Sequence, residues 1–130
     1  MAGALTRDTA IFALTPAADQ TGKEGYAVKM VAGEAALSTA HSGNFGVILD
    51  GETTSGKSTI ASMAGASGTV KVKLGATPGT VIIGSLLMVH TDATWKLHTA
   101  ANNVCAVAIE AGVATELIEA ALCVDTLADA

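Results

Sequence analysis

Aromatic residues are nearly missing from this chain. Its 130 residues hold two Phe, one Tyr and one Trp, 3% in all, at Phe12, Phe45, Tyr26 and Trp95. That is too few for the stacking platforms that hold bases or sugars. Charge is scarce as well, at 15%, and it leans acidic: seven Lys and Arg against twelve Asp and Glu, net −5. This argues against a basic surface for phosphate backbones, so no nucleic-acid partner is expected. Two cysteines are too few for a disulfide scaffold. Cys105 and Cys123 are read as buried, reduced thiols, with a cross-strand disulfide as the alternative. The N-terminus places Arg7 and Asp8 before its only short apolar run, unlike a secretory leader. The longest uncharged stretch, Leu74–Thr91, is broken by Gly75, Pro78, Gly79 and Gly84. It falls short of the roughly 20 apolar residues of a spanning helix. Synthesis in a cytosol and no membrane partner are therefore expected.

What the chain does have is small apolar side chains. Half of its residues are hydrophobic, too many for a disordered chain. Of those 65, Ala supplies 26 and Val, Ile and Leu together 29. A core built from them stabilises weakly per residue, at roughly 25 cal/mol per Å² of buried apolar area. Part of the apolar surface is accordingly expected to lie against other chains.

The length fits one domain. Residues 1–24, Ala- and Thr-rich and ending in a polar Gly-containing loop, read as an extended N-terminal arm. Residues 25–125 read as a single β domain and 126–130 as a short tail. Tyr26–Val31 alternates, Gly33-Glu34 turns, and Ala35–Thr39, Asn44–Asp50 and Thr59–Ala64 follow as strands. Thr69–Leu74 alternates cleanly, with Val70, Val72 and Leu74 inward and Lys71 and Lys73 outward. Pro78-Gly79 marks a turn. Val81–Ile83, Leu86–His90, Trp95–His98 and Val104–Glu110 complete a series of short strands. Spacing of about 8–12 residues between turn signals indicates an all-β fold, a small antiparallel barrel or sandwich. Ala114–Val124 fits a helical stripe and a β alternation about equally.

Gly51–Ser58 matches G-x-x-x-x-G-K-[ST], a phosphate-binding loop in which backbone N–H groups and a Lys cradle phosphates. Such a loop must open a helix. Here Gly65 and Gly68 would break any helix begun at Lys57, and an alternating strand comes next. A polar hairpin turn is the expected reading, with Lys57 binding nucleotide as the lesser one. His90, Asp92 and His98 form a conceivable zinc set. Glu110, Glu116 and Glu119 form a conceivable acid–base cluster. Solvated turns and a charged rim are expected instead. No catalytic residue, metal or cofactor is assigned.

Several stretches carry a family resemblance: Gly25–Val28 with Val31–Glu34, Phe45–Val47 leading to Leu49–Gly51, Gly68–Lys73, Gly79–Gly84, Trp95-Lys96 and Ala106–Gly112. Their order resembles the small all-β decoration, or cement, proteins of tailed-phage capsids, over about three quarters of the chain. The resemblance implies a β-rich, commonly trimeric protein on the outer capsid surface, clamping neighbouring subunits of the phage major capsid protein. It places Glu116–Val124 on a strand rather than a helix. It also implies a contact segment in the arm: Thr6, Arg7, Asp8, Thr9, Ala10, Ile11, Phe12, Ala13, Leu14 and Thr15, able to add a strand to a capsid-protein sheet. The alternative is an all-β carrier or binding module presenting a lipoyl- or biotinyl-lysine. That reading needs the lysine at a hairpin tip, whereas Lys71 and Lys73 fall mid-strand.

Overall fold

The computed structural model describes residues 11–63 and 68–127, with side chains as far as Cys123. Ten strands and no helix are found among them. They are β1 (Ile11–Leu14), β2 (Ala27–Val31), β3 (Glu34–Leu37), β4 (Gly46–Asp50), β5 (Ser58–Ser62), β6 (Val70–Lys73), β7 (Leu86–Val89), β8 (Trp95–Leu97), β9 (Asn103–Ala108) and β10 (Leu117–Leu127). All ladders are antiparallel, and they form two five-stranded sheets ordered β1-β5-β4-β2-β3 and β6-β10-β9-β7-β8. The fold is all-β. Neither sheet closes into a barrel, so of the two expected forms a sandwich fits better.

The second sheet repeats the first strand for strand. Where β2 pairs Val28 with Leu37 and with Gly46, β7 pairs Leu87 with Leu97 and with Ala106. A single parallel bridge joins Pro16, just past β1, to Ala35 of β3; its counterpart joins Leu74, just past β6, to Trp95 of β8. Loop hydrogen bonds repeat too. Gly25 donates to the Ile48 carbonyl as Gly84 does to Ala108, and Ser38 donates to Ala27 as His98 does to Leu86. Ala17 donates to Ala35 as Gly75 does to Trp95. Gly25 and Gly84 share the left-handed backbone, at φ 86° and 90°. The chain is thus two copies of one five-stranded unit.

Corresponding core positions trade volume. In the first unit Val28, Ala35, Ile48 and Ile60 form one buried cluster, flanked by Leu14, Leu37, Tyr26 and Phe45. The matching register positions in the second unit hold Leu87, Trp95, Ala108 and Ala120, all within the larger cluster. A small residue on the third strand goes with two isoleucines on the fourth and fifth. Trp95, fully buried, goes with two alanines. Interiors are packed to a fixed density, so a large side chain on one strand demands small ones facing it.

Gly25 joins the units. Its N–H donates within the first sheet to Ile48, and its carbonyl accepts the Lys73 N–H (2.9 Å) and the Trp95 indole N–H (3.1 Å) of the second. Ala27 adds a bond to the Ala93 carbonyl. A Cβ at Gly25 would lie 2.5 Å from Leu117 Cδ2 and 2.7 Å from Lys73 N. Ala27, Val47 and Met63, on the first unit, are buried in the large cluster with the second unit's residues.

Several sequence expectations change. Within the expected extended arm, residues 11–24 join the first unit: β1 pairs with β5 over four residues, and Pro16 and Gln20 are buried. Thr6–Ala10 lie outside the described residues. Val81–Ile83 is not a strand. Val81 makes one bridge to Gly112, while Ile82 and Ile83 are 60% and 70% exposed in a turn closed by Ser85 N–H on the Ile82 carbonyl. The β2–β3 turn is Ala32-Gly33, one residue earlier than expected, because Val31 pairs with Glu34 and both turn residues take positive φ. Residues 114–124 contain strand rather than helix, and β10 continues to Leu127, into the expected tail.

The volume trade predicts coupling. Trp95→Ala is expected to cost about 3–5 kcal/mol, and Ala108→Ile about 1–3 kcal/mol by overpacking. The double variant should recover at least about 1 kcal/mol relative to the sum, read from urea unfolding. Strict additivity would contradict the trade.

Candidate functional site

The Gly51–Ser58 loop joins β4 to β5 of one antiparallel ladder, and no helix follows it among the described residues. Three of its amides are already engaged. Gly51 N–H donates to Glu24 Oε2 (3.0 Å), Glu52 N–H to Ser58 Oγ (3.0 Å), and Gly56 N–H to the Thr53 carbonyl (3.0 Å). Ser58 Oγ donates to Gln20 Oε1 (2.8 Å), and Gln20 Nε2 donates to the Ala35 carbonyl (2.8 Å). Lys57 is exposed and reaches Thr15 Oγ1. A carboxylate stands on the Gly51 amide where a phosphate would need positive field. The loop is a latch for the segment after β1. A Cβ at Gly51 would meet the Gln20 carbonyl at 1.9 Å, which is why glycine stands there. Gln20 was not among the residues expected to matter; a Gln in a polar stretch carries no signal of burial.

His90, Asp92 and His98 have separate occupations. Asp92 Oδ1 accepts the Thr94 N–H and hydroxyl, His90 N–H donates to the Thr94 carbonyl, and His98 Nε2 lies 2.9 Å from the Asn102 carbonyl. Burial pushes the Asp92 carboxyl up, but the Thr94 hydrogen bonds and nearby His90 outweigh it and hold it below its ordinary value. No metal-ligating cluster of three occurs among the described residues. Cys105 is buried and Cys123 half-buried, with Cys105 Sγ 3.5 Å from the His41 carbonyl and Cys123 Sγ 3.6 Å from the Val104 carbonyl.

The three glutamates serve the β9–β10 connection. Glu116 Oε1 accepts the Val113 N–H (2.8 Å). Glu110 Oε1 accepts both Lys71 Nζ (2.9 Å) and the Glu119 N–H (2.7 Å), and Glu119 stands 4.0 Å from the same ammonium. Lys71 therefore lies mid-strand in an exposed ion pair, away from any hairpin tip. Its hydrogen bond to Glu110 raises the Lys71 ammonium and lowers the Glu110 carboxyl from their ordinary values.

The capsid-contact expectation covers an edge strand. Within β1, Ile11 and Ala13 are exposed and Phe12 and Leu14 half-buried, with Thr15 half-buried beyond it. The Phe12 ring packs at 5.8 Å from that of Phe45. One edge of β1 is bonded to β5; the strand ends the sheet order. A groove of about 570 Å³ runs between Pro78–Val81 and Ala111–Ala114, with Glu116 as its only ionisable residue. It lacks the convergent polar groups that orient a small ligand.

The Lys71–Glu110 pair has a pH signature. Glu110's contribution, from a lowered folded value, is complete above the ordinary carboxylate range and lost as pH falls through that folded value. Lys71's, from a raised value, is complete below the ordinary lysine range and lost as pH rises through its folded value. The difference in urea midpoint between wild type and Lys71→Met should therefore be greatest near neutrality, shrink at both extremes and fall in high salt. A difference independent of pH and salt would contradict it. No family model matches this sequence, and no curated protein matches it.

Proposed function

We propose that this chain is a capsid decoration protein of a tailed phage. On this reading it sits on the outer capsid surface and clamps neighbouring major capsid protein subunits as a homotrimer. The observation that carries the reading is β1. Among the described residues it ends its sheet, and its outward Ile11 and Ala13 are exposed. An open edge is a template on which another sheet pairs main chain to main chain. The order of glycine-based stretches that resembles decoration proteins supports the same reading.

The mechanism is mechanical. Each copy contributes apolar area and backbone hydrogen bonds at a junction between shell subunits. Three linked copies convert the second and third contacts into intramolecular ones, so modest single contacts sum to tight binding. Few aromatics are needed, because broad contact over small side chains carries the load.

Isolated, expanded phage heads test this by co-sedimentation. The full chain is expected to saturate a fixed number of sites per head and to raise the temperature at which heads release DNA. A chain beginning at Ile11, which keeps β1, is expected to bind at least tenfold more weakly. Failure of the full chain to bind any mature head would overturn the proposal.

A further inference from the structure

The two units are alike in fold but not in exposure. On the first unit, the face that meets the second is fully covered: Ala27 and Val47 are 0% exposed and Ala61 4%. The same register positions on the second unit are Leu86, Val107 and Ala121. Leu86 is 46% exposed, and the other two are half-buried. The joining glycine shows the same contrast. Gly25 is buried and crowded by Lys73 and Leu117, whereas Gly84, with nearly the same φ and the same bond to its fourth strand, has nothing within 4 Å of a built Cβ. Around Gly84 stand Ile82, Ile83, Leu86 and Ile109, all at least 42% exposed. An apolar patch of this kind on a chain with few charges marks an interaction surface.

The complementary half of the contact is exposed on the first unit. Within the chain, Gly25 and Ala27 bond to Lys73, at the end of β6, and to Ala93, in the β7–β8 turn. The equivalent positions on the first unit are Thr15, at the end of β1, and Gly33, in the β2–β3 turn. Gly33 is exposed, and the large apolar residues exposed on this unit, Ile11, Met30 and Val31, lie on β1 and next to that turn. Donor and acceptor surfaces are thus both present, both apolar, and located where the repeat puts them.

We infer that a second copy of this chain docks its first unit on the second unit's open face, repeating the contact the two units make within one chain. In that contact the Gly84 carbonyl of one chain takes the Thr15 N–H of the next, and Leu86 packs at its Gly33 turn. The arrangement is head-to-tail, and such contacts build rings when the rotation closes. One bond has no counterpart: Ala35 stands where Trp95 supplies its indole N–H. The contact between chains is accordingly weaker than the contact within one. It takes the Thr15 end of β1 and leaves Ile11–Ala13 along the edge. The inference does not depend on a capsid role.

Sedimentation equilibrium of the full chain reads the self-association, and cross-linking reads its geometry. Wild type is expected to be a multimer. Leu86→Asp, at an exposed position, should weaken association at least tenfold while keeping a cooperative unfolding transition. In a Cys123→Ser background, mixing Leu86→Cys chains with Glu34→Cys chains should yield a covalent pair with a short bis-maleimide, and this reading removes no first-unit apolar group. A monomeric wild type, or a multimer that keeps its affinity in Leu86→Asp and gives no Leu86–Glu34 link, would overturn the inference. Head binding by a monomer would leave the capsid proposal standing while this one fails.

Discussion

The carbonyl and amide of Gly25 hold the molecule together. Three hydrogen bonds converge on this one residue, one to Ile48 in the first sheet and two from Lys73 and Trp95 in the second. Only a residue without a Cβ fits, since Leu117 and Lys73 occupy that space and the backbone is left-handed. The indole fixes Trp95 at the centre of the larger cluster, and a buried Trp needs such a partner for its N–H. Much else depends on this placement. Trp95 fills the second unit, so its fourth and fifth strands carry Ala108 and Ala120. The Ala27 and Val47 side of the first unit is sealed.

Duplication also accounts for the composition. A unit of five short strands has little interior, and small side chains let two such units fill theirs by different combinations. Ala35 with Ile48 and Ile60 is one solution; Trp95 with two alanines is another. The Gln20 amide and the Ser58 hydroxyl, taken into the first unit, are satisfied rather than stranded. Gln20 links Ser58 and Ala35 across three segments, which keeps the desolvation of the amide from costing stability. Outside the core, carboxylates at turns accept backbone N–H groups, as Glu24, Asp92 and Glu116 do.

Strand periodicity was legible where one face is buried and the other wet. Thr69–Leu74 alternates, and its valines and lysines lie as the pattern demands. Val81–Ile83 misled because three apolar residues in a row look like a buried strand, while Gly84-Ser85 closes a turn that leaves two of them exposed. The repeat itself was hidden. Register, not residue identity, relates the units, and the volume trade exchanges Ala for Trp at matched positions. Gly25-Tyr-Ala-Val28 with Gly84-Ser-Leu-Leu87, and the isolated identities Leu37/Leu97 and Val47/Val107, were faint local traces of it. The integration of residues 11–24 was hidden as well, since β1 is short and its partner β5 lies far along the chain. The phosphate-loop match lacks its structural setting: the loop joins two antiparallel strands, and Gly51, Glu52, Gly56 and Ser58 are bonded inside the fold.

The decoration role we propose would draw its contacts from repetition of one unit rather than from a specialised pocket, which suits a chain this poor in aromatics and charge. The most direct measurement is a high-resolution map of the assembled full chain. The repeated-docking account predicts Gly84 of each chain seated on the β1 end of the next, as Gly25 is seated on β6. An assembly in which Gly84 and Leu86 face solvent would contradict it.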